Sequence, residues 1–509
     1  MTAPITLRRL LAGIEPAPQY FDCGPQTTIT ALEVDSRRVE PGAAFLAVAG
    51  LTHDGHAFVD TARQRGASIS IVQDDRVGPL PGATVRLADT ARAMPLLAAN
   101  AHGRPADALR LAGVTGTNGK TTTAHLLGTS LAGSGRLYAR LGTTGNWLVD
   151  HEAGAALTTP FPLELQALLA DARSRGATDA VMEVSSHALV QGRAQPLQFH
   201  AVGLTSFSQD HLDFHTDMDD YLAAKCRLAS EHVRDDGLAV AAVDPAPEAA
   251  RRFLDAATCS RRWRVSRGDD PTAEIRAEAI TSTPSGMRAT VHTPMGSVTL
   301  HSPLVGGFNL DNLMISLGLG LGLGLDLDAM ANALRTTAGA PGRLERVTVA
   351  GVPGPTVLVD YAHTPDAVER AIEAVRPSCK GHLVVVLGCG GDRDPGKRPQ
   401  MGRVASTGAD RFWATSDNPR TEDPETIVDM MLAGVPSDRM GRTDRRTDRG
   451  RAIADAIARA HDDDVVLIAG KGHEDYQVLG TQTIHFDDRE HARAALERRP
   501  GQPDPAAKS

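Results

Sequence analysis

The 509 residues predict an α/β protein of three regions, and three observations carry that reading. The length exceeds one compact core at ~100–200 residues per domain. A strand-like run, a Gly/Thr loop and a helix-like run follow one another directly at 108–133, the order in which a phosphate loop is built between a strand and a helix. Beyond residue 338 apolar runs again alternate with helical stretches, as in a doubly wound sheet. The expected regions are 1–108, 109–338 and 339–509.

In the first region, short apolar runs (AAFLAV, SISIV, TVRLAD) broken by Gly and Pro predict a small α/β unit. In the second, ALRLAGV, DAVMEVSS, FHAVGLTSF and GLAVAAV read as strands of a mostly parallel sheet, with TTTAHLLGTSLAG as a helix. The run LGLGLGLGL at 317–325 alternates with period two, yet glycine at every second position weakens strand and helix alike. Its neighbours LDAMANALR favour a helix packed closely through its glycines. TTAGAPGRLERV marks the crossing to the third region, where HLVVVLGCGG, RFWATSD and DVVLIAGKG read as strands and RAIADAIARAH as the clearest helix.

Hydrophobic residues make up 41% and charged residues 23%, which excludes disordered and collagen-like classes. A net charge of −9 advertises no general polyanion-binding surface, so nucleic acid is not an expected partner. The N-terminus lacks a secretory pattern. The most apolar segment, 313–325, is thirteen residues long, short of the ~20 that span a bilayer. Five cysteines (Cys23, Cys226, Cys259, Cys379, Cys389) form no CxxC pair. A reduced cytoplasmic protein without a membrane anchor is expected. Only six lysines stand against 47 arginines: Lys120, Lys225, Lys380, Lys397, Lys471 and Lys508. Codon bias accounts for the arginines; lysine can also persist where arginine will not serve.

VTGTNGKTTT occupies 114–123, with Val114 where the strict phosphate-loop pattern has its first glycine. Backbone N–H groups of Gly116, Thr117, Asn118 and Gly119 can cradle phosphate oxygens at the helix N-terminus. Lys120 can reach the β- and γ-phosphates, and the Thr121 hydroxyl can ligate Mg²⁺. Such loops serve kinases, GTPases and motors alike. No [NT]-K-x-D guanine-reading sequence occurs, so ATP is the expected nucleotide. Glu183 ends a strand-like run before Ser185, Ser186 and His187, a place suited to holding Mg²⁺ beside the loop. SQDHLDFH places Asp210, His211, Asp213 and His215 within six residues, as a solvated acidic turn or a metal site. Lys225 lies in the apolar YLAAKCRLA, either a snorkelling stem or a modified side chain.

TGTNGKTTT, MEVSSHAL, DHLDFH, YLAAKCRLA, GGFNLDN, PGRLERV, DYAHTPD, GDRDPGKRP, DNPRTEDP and GKGHE occur in this order. Together they resemble the Mur ligases of peptidoglycan synthesis, from about Val34 to Glu490. The resemblance implies an N-terminal UDP-sugar domain, a central ATPase domain and a C-terminal Rossmann-like domain. It implies ATP- and Mg²⁺-dependent amide formation on UDP-N-acetylmuramoyl-L-Ala-D-Glu by a monomer: the D-Glu γ-carboxylate takes the γ-phosphoryl group, and an incoming amine then displaces phosphate. Phosphorylation supplies the leaving group that a carboxylate lacks, and cations must neutralise the two anions as they approach.

By position, the resemblance assigns Gly116, Thr117, Asn118, Gly119, Lys120, Thr121 and Thr122 to the ATP loop. Asn309, Asn312, Arg343, Asp360 and His363 match further nucleotide-side positions. Lys120, His211 and Lys225 match catalytic positions, and Thr121, Glu183, His211 and Lys225 metal ligands. Lys225 matches a lysine that the family converts to a carbamate (N6-carboxylysine). That chemistry requires an amine able to deprotonate, which arginine is not. Val34, Ser36, Leu51, Thr52 and His53 match the uridine region, and Thr158, Thr159, Ser185, Gln191 and Arg193 the muramoyl-dipeptide region. One departure stands out: Thr205 is followed by Ser206, where the family has Thr-Asn, which puts the role of that amide in doubt.

Arg393, the run Asp417, Asn418, Pro419, Arg420, and Gly470 with Glu474 each follow a predicted parallel strand. Strand C-terminal ends converge on one crevice. Two arginines can hold carboxylates, while Asp417 and Glu474 can receive an ammonium group. Diaminopimelate suits that set, whereas Arg420 would repel the bare distal cation of lysine. DNPR is also the signature of the family's diaminopimelate-adding members. The rival readings are a lysine-adding ligase of the same family, a folylpolyglutamate-synthase-like ligase, and a nucleotide-binding regulator without catalysis.

Overall fold

The computed structural model describes residues 4–50, 53–76, 78, 80–244, 246–268 and 270–499. Leu51, Thr52 and Lys508 lie outside the described residues. The chain divides into two compact units. One runs to Val265 and takes in Ile315–Asp326; the other holds Ser266–Met314 and the described chain from Leu327 onward.

The first unit begins with a five-stranded sheet in the order Gln19–Phe21, Thr84–Leu87, Ile69–Gln73, Ala44–Leu46, Leu32–Glu33. The last four strands are parallel, and Gln19–Phe21 runs against them. Its inner strands are the three apolar runs legible in the sequence. Leu7, Leu10, Ile69, Ile71, Val85 and Leu97 pack in one hydrophobic cluster, and Phe45, Val59, Ala62 and Val72 in a second.

The central sheet of this unit is parallel across six strands: Tyr138–Leu141, Asp179–Glu183, Arg110–Thr115, Phe199–Leu204, Val233–Ala242 and Arg261–Ser266. Asn146–Leu148 and His151–Ala153 add an antiparallel edge. The strands at its centre are buried on both faces, and they read as continuous apolar runs for that reason. Glycines let the covering helices approach. A Cβ on Gly203 would lie 3.2 Å from Ile315, and one on Gly322 only 2.8 Å from the Ala201 Cβ. The alternating Leu/Gly run is therefore helical: Gly307–Gly322 is one helix, and Gly324 follows at φ +75°.

In the second unit, Ile275–Thr283, Gly286–Thr293 and Gly296–Ser302 form an antiparallel meander absent from the sequence reading. A six-stranded sheet follows in the order Glu345–Val347, Thr356–Asp360, Val465–Ala469, Leu383–Cys389, Arg411–Ser416, Thr443–Arg445. All but the first strand are parallel. Helices Pro365–Val375, Lys397–Gly408 and Pro424–Leu432 cover one face. Arg449–Arg459 and Asp488–Glu497 cover the other, so the sheet is doubly wound. Val465–Ala469, last in sequence among these strands, is inserted between Thr356–Asp360 and Leu383–Cys389. That reversal of strand order opens a crevice at the C-terminal ends.

Gly322→Ala tests the close helix–sheet approach. An exposed helical Gly→Ala change gains up to ~1 kcal/mol, but here the new methyl meets Ala201 at 2.8 Å. Overpacking should outweigh the gain and lower stability by about 1–3 kcal/mol, read as a lower unfolding midpoint; a raised midpoint would count against the tight packing.

Candidate active site

The phosphate loop leaves strand Arg110–Thr115 and enters helix Lys120–Gly133. Gly116 (φ +146°) and Gly119 (φ +89°) adopt conformations that favour glycine. A Cβ on Gly116 would fall 2.1 Å from the Thr205 hydroxyl. Thr205 donates to the carbonyls of Thr115 (3.2 Å) and Asn118. The Ser206 hydroxyl accepts from the Asn118 N–H and donates to the Asn118 carbonyl, both at 3.0 Å. The Ser206 carbonyl accepts the Thr117 N–H at 2.9 Å. A hydroxyl at position 206 thus secures the loop.

Two lysine side chains meet below this loop. Lys120 Nζ donates to the carbonyls of Gly116 (2.8 Å) and Thr117 (2.9 Å). Lys225 Nζ donates to the same Gly116 oxygen at 2.9 Å and lies 4.3 Å above the Tyr221 ring. Helix Met218–Glu231, N-capped by the Asp217 carboxylate, carries Lys225, whose side chain is fully buried. Burial first, and the Lys120 charge second, hold the Lys225 amine well below the usual lysine range. The Tyr221 hydroxyl, pushed up to about 12 by burial, sits 3.3 Å from Thr117 Oγ1. His211 (φ +54°) has its ring 5.0 Å from His187 and 5.9 Å from Tyr221. Burial keeps His211 below the ordinary histidine range, leaving a neutral imidazole able to ligate.

Glu183 ends strand Asp179–Glu183 and is buried. Its carboxylate accepts from the Thr121 hydroxyl at 2.9 Å, and from the N–H (2.9 Å) and hydroxyl (3.2 Å) of Thr143. Thr143 in turn meets Thr158 at 3.0 Å. Behind it, Thr159 donates to the Glu183 carbonyl (2.9 Å) and accepts the Ser185 N–H (3.1 Å). Arg193 donates to the Thr159 carbonyl (3.1 Å) and to Gln191 Oε1 (2.8 Å), with its guanidinium 4.2 Å over the exposed Phe161 ring. Thr121, Glu183, Thr158, Thr159, Ser185, Gln191 and Arg193 therefore form one continuous network. Thr143 and Phe161 belong to it too, although no motif singled them out.

This donor set suits Mg²⁺. The Thr121 and Glu183 oxygens are hard ligands 2.9 Å apart, the donor type that Mg²⁺ takes. Among the described residues no three His, Cys, Asp or Glu side chains gather as a metal cluster. Mg²⁺ in nucleotide sites relies on one or two carboxylates plus substrate phosphates, and few protein ligands are then required.

The expected uridine-side residues lie at the N-terminal sheet of the same unit. Val34 and Ser36 follow strand Leu32–Glu33, and His53 follows its parallel neighbour Ala44–Leu46. Ser36 opens a helical turn capped by Asp35, whose carboxylate accepts the Arg37 N–H at 2.9 Å.

The second unit carries the remaining candidates. Asp360 accepts the Leu344 N–H (2.7 Å) and the Ala362 N–H (2.9 Å), and burial raises its carboxyl above the ordinary range against the pull of Arg343. Arg343 lies 5.0 Å over the Tyr361 ring, which is flanked by His363 at 4.6 Å and His473 at 5.1 Å. Burial, then Arg343 and Arg489, lower the His473 imidazole to about 4. Asn309 and Asn312 pair with each other at 3.1 Å, and Asn309 also donates to the Val305 carbonyl.

At the crevice, Asn418 Nδ2 donates to Glu474 Oε2 (3.0 Å), joining the DNPR and GKGHE loops. Lys471, wholly buried, donates to Asn418 Oδ1 (3.3 Å) and Glu474 (3.2 Å) and lies 3.9 Å from Asp417. Glu474 and Asp417 thus already face one ammonium group. Arg420 (φ +51°) donates to the Gly391 carbonyl at 2.8 Å, and a Cβ on Gly390 would lie within 4 Å of both Arg420 and Arg393. Pro419 closes against the same turn: a Cβ on Gly391 would strike its carbonyl oxygen at 1.9 Å. A Cβ on Gly470 would lie 2.6 Å from the Asp417 carboxylate. Arg393, Asp417, Asn418, Pro419, Arg420, Gly470 and Glu474 thus share the C-terminal ends of three strands.

Three family descriptions match the chain in order: "Mur ligase family, catalytic domain" over 28–102, "Mur ligase middle domain" over 114–320, and "Mur ligase, glutamate ligase domain" over 342–472. A relative from Trichormus variabilis is 43% identical over 501 residues, covering 97% of this chain and 99% of its own. The chain belongs to the Mur ligase family. That relative and one from Gloeobacter violaceus, 45% identical over 93% of this chain and 95% of its own, are both named UDP-N-acetylmuramoyl-L-alanyl-D-glutamate–2,6-diaminopimelate ligase. A solved structure of the same name superposes with a TM-score of 0.72 at 31% identity, covering 97% of this chain and 99% of that one. The three Mur ligase segments account for the α/β class and the mostly parallel central sheet.

Ser206→Ala removes both side-chain bonds to Asn118 and keeps the backbone bond to Thr117. Local opening should become about 1 kcal/mol easier. Hydrogen exchange at the Asn118 amide should then quicken roughly five-fold; unchanged exchange would show that Thr205 alone secures the loop.

Proposed function

We propose that this Mur ligase adds diaminopimelate to the D-Glu γ-carboxylate of UDP-N-acetylmuramoyl-L-Ala-D-Glu, with ATP and Mg²⁺, in the cytoplasm. The observation that carries the reading is the junction of the DNPR and GKGHE loops, through Asn418 and Glu474, in a chain 43% identical to a ligase of that name. In this reading 1–108 binds the UDP-sugar, 109–338 the ATP, and 339–509 the amino acid. No described helix is long and apolar enough to cross a membrane.

The loop at 116–119 presents N–H groups to the ATP phosphates, and Lys120 neutralises the γ-phosphoryl group as it moves. Thr122 follows within the first turn of the helix, and Arg343, Asp360 and His363 act on the nucleotide side, with Asn309 and Asn312 as further nucleotide-side positions. Thr121 and Glu183 would hold one Mg²⁺ and His211 a second, with carbamylated Lys225 as a further ligand; bound Mg²⁺ would supply positive charge to the phosphate oxygens. The neutral amine of Lys225 adds to the carbon of CO₂ and releases one proton to water, turning a buried neutral amine into an anionic ligand. Val34, Ser36, Leu51, Thr52 and His53 hold uridine; Thr158, Thr159, Ser185, Gln191 and Arg193 orient the dipeptide. A carboxylate oxygen of D-Glu forms a bond to the γ-phosphorus as the bond to ADP breaks. The amine of diaminopimelate then bonds to the acyl carbon, loses a proton, and phosphate departs. Arg393 and Arg420 receive the carboxylates of the amino acid.

Protein, ATP, Mg²⁺ and UDP-muramoyl dipeptide incubated with diaminopimelate should release ADP and the tripeptide product; preferential use of L-lysine would overturn the assignment. Lys120→Ala should lower kcat by roughly 10²–10³-fold, and near-normal turnover would remove its role. Lys225→Ala should be inactive and partly restored by formate or acetate, which replace the carbamate oxygens. Lack of rescue in a folded variant would count against carbamylation.

A further inference from the structure

Arg449 and Asp488 lie beneath the amino-acid crevice, 39 residues apart, each at the start of a helix on the same face of the sheet. Both side chains are fully buried. Arg449 Nε donates to Asp488 Oδ1 at 2.7 Å and Nη2 to Oδ2 at 2.6 Å, a paired, charge-assisted contact. The guanidinium also donates to two carbonyls: Nη1 to Ser416 (3.2 Å) and Nη2 to Ala469 (3.0 Å). Ser416 is the last residue of its strand before the DNPR run, and Ala469 the last before GKGHE. These strands are not neighbours, because Leu383–Cys389 separates them. One side chain thus ties together two strand ends that no direct sheet ladder joins. It also faces Asp417, 3.9 Å from Nη1.

We propose that Arg449, held by Asp488, is a positioning residue that sets the gap between the DNPR and GKGHE loops, and with it the length of amino acid accepted. The inference rests on the proposed activity. A substrate gripped at both ends needs its two sets of partners at a fixed separation, and a misplacement of ~1 Å can cost ~10²-fold. Only a planar fork serves here: Lys in place of Arg449 has no second nitrogen to hold a carboxylate and two carbonyls together.

The test compares the full-length enzyme with Arg449→Met/Asp488→Leu, because apolar replacement of a whole buried pair is often neutral or stabilising, whereas removing one partner is not. The double variant should keep its Tm within a few degrees and its KM for ATP near wild type. Its KM for diaminopimelate should rise at least ten-fold, and its preference for diaminopimelate over lysine should shrink. Unchanged KM and preference at unchanged Tm would overturn the proposal. If the double variant does not fold, Arg449→Lys carries the test: the same selective rise in KM supports positioning, and wild-type KM refutes it. Failure of wild type to use diaminopimelate would defeat the activity reading alone. The comparison is then made with whichever amino acid wild type accepts.

Discussion

A single carbonyl oxygen organises the phosphate loop. Gly116 O accepts from the Nζ groups of both Lys120 and Lys225, at 2.8 and 2.9 Å. For that to happen the loop must bend so that residue 116 has φ +146°, and it must lie so close to the next strand end that only hydrogen fits where a Cβ would be. Thr205 and Ser206 then close the far side. The result brings two lysine side chains together at one strand terminus, beside the start of helix Lys120–Gly133. Burial at this spot, and secondly the Lys120 charge, hold the Lys225 amine well below the usual lysine range. The bend of the loop and the shifted Lys225 amine are thus consequences of one packing arrangement.

What the sequence made legible follows from how local each feature is. The Gly-Lys-Thr loop could be read because a strand, a tight turn and a helix occupy consecutive residues, and each has its own pattern. The buried strands announced themselves as unbroken apolar runs, because both faces are covered. The Leu/Gly run at 317–325 needed the structure: its period of two mimics a strand, and Gly322 is explained only by the close approach of the Ala201 Cβ. The meander at 275–302 went unseen, since its strands are partly exposed, with many polar residues and no sustained apolar run.

The candidate site divides in the same way. Lys120, Glu183 and the DNPR run belong to compact motifs. Thr143, Phe161 and Arg449 do not; each matters through a partner far along the chain, as Arg449 does through Asp488. Tyr361 sits inside a recognised motif, yet its ring contacts with Arg343, His363 and His473 join separate segments. Long-range pairing of this kind leaves no periodicity to detect in one sequence.

The lysines sharpen the point about chemistry against placement. Lys397 donates to the His363 carbonyl at 3.2 Å, tying the helix start Lys397–Gly408 to the motif around Asp360. Lys225 and Lys471 are both wholly buried, and each lies near a tyrosine ring. Their surroundings are otherwise opposite. Lys471 faces Glu474 at 3.2 Å and Asp417 at 3.9 Å, so its charge has carboxylate partners that also order the loops above it. Lys225 has a carbonyl oxygen, another ammonium group nearby, and, among the described residues, no carboxylate within ion-pair distance. Lys471 is therefore tied into the two loops by its carboxylate partners, while burial, and then the Lys120 charge, hold the Lys225 amine well below the usual lysine range. The difference lies in which carboxylates the fold brings within 4 Å, not in the residue.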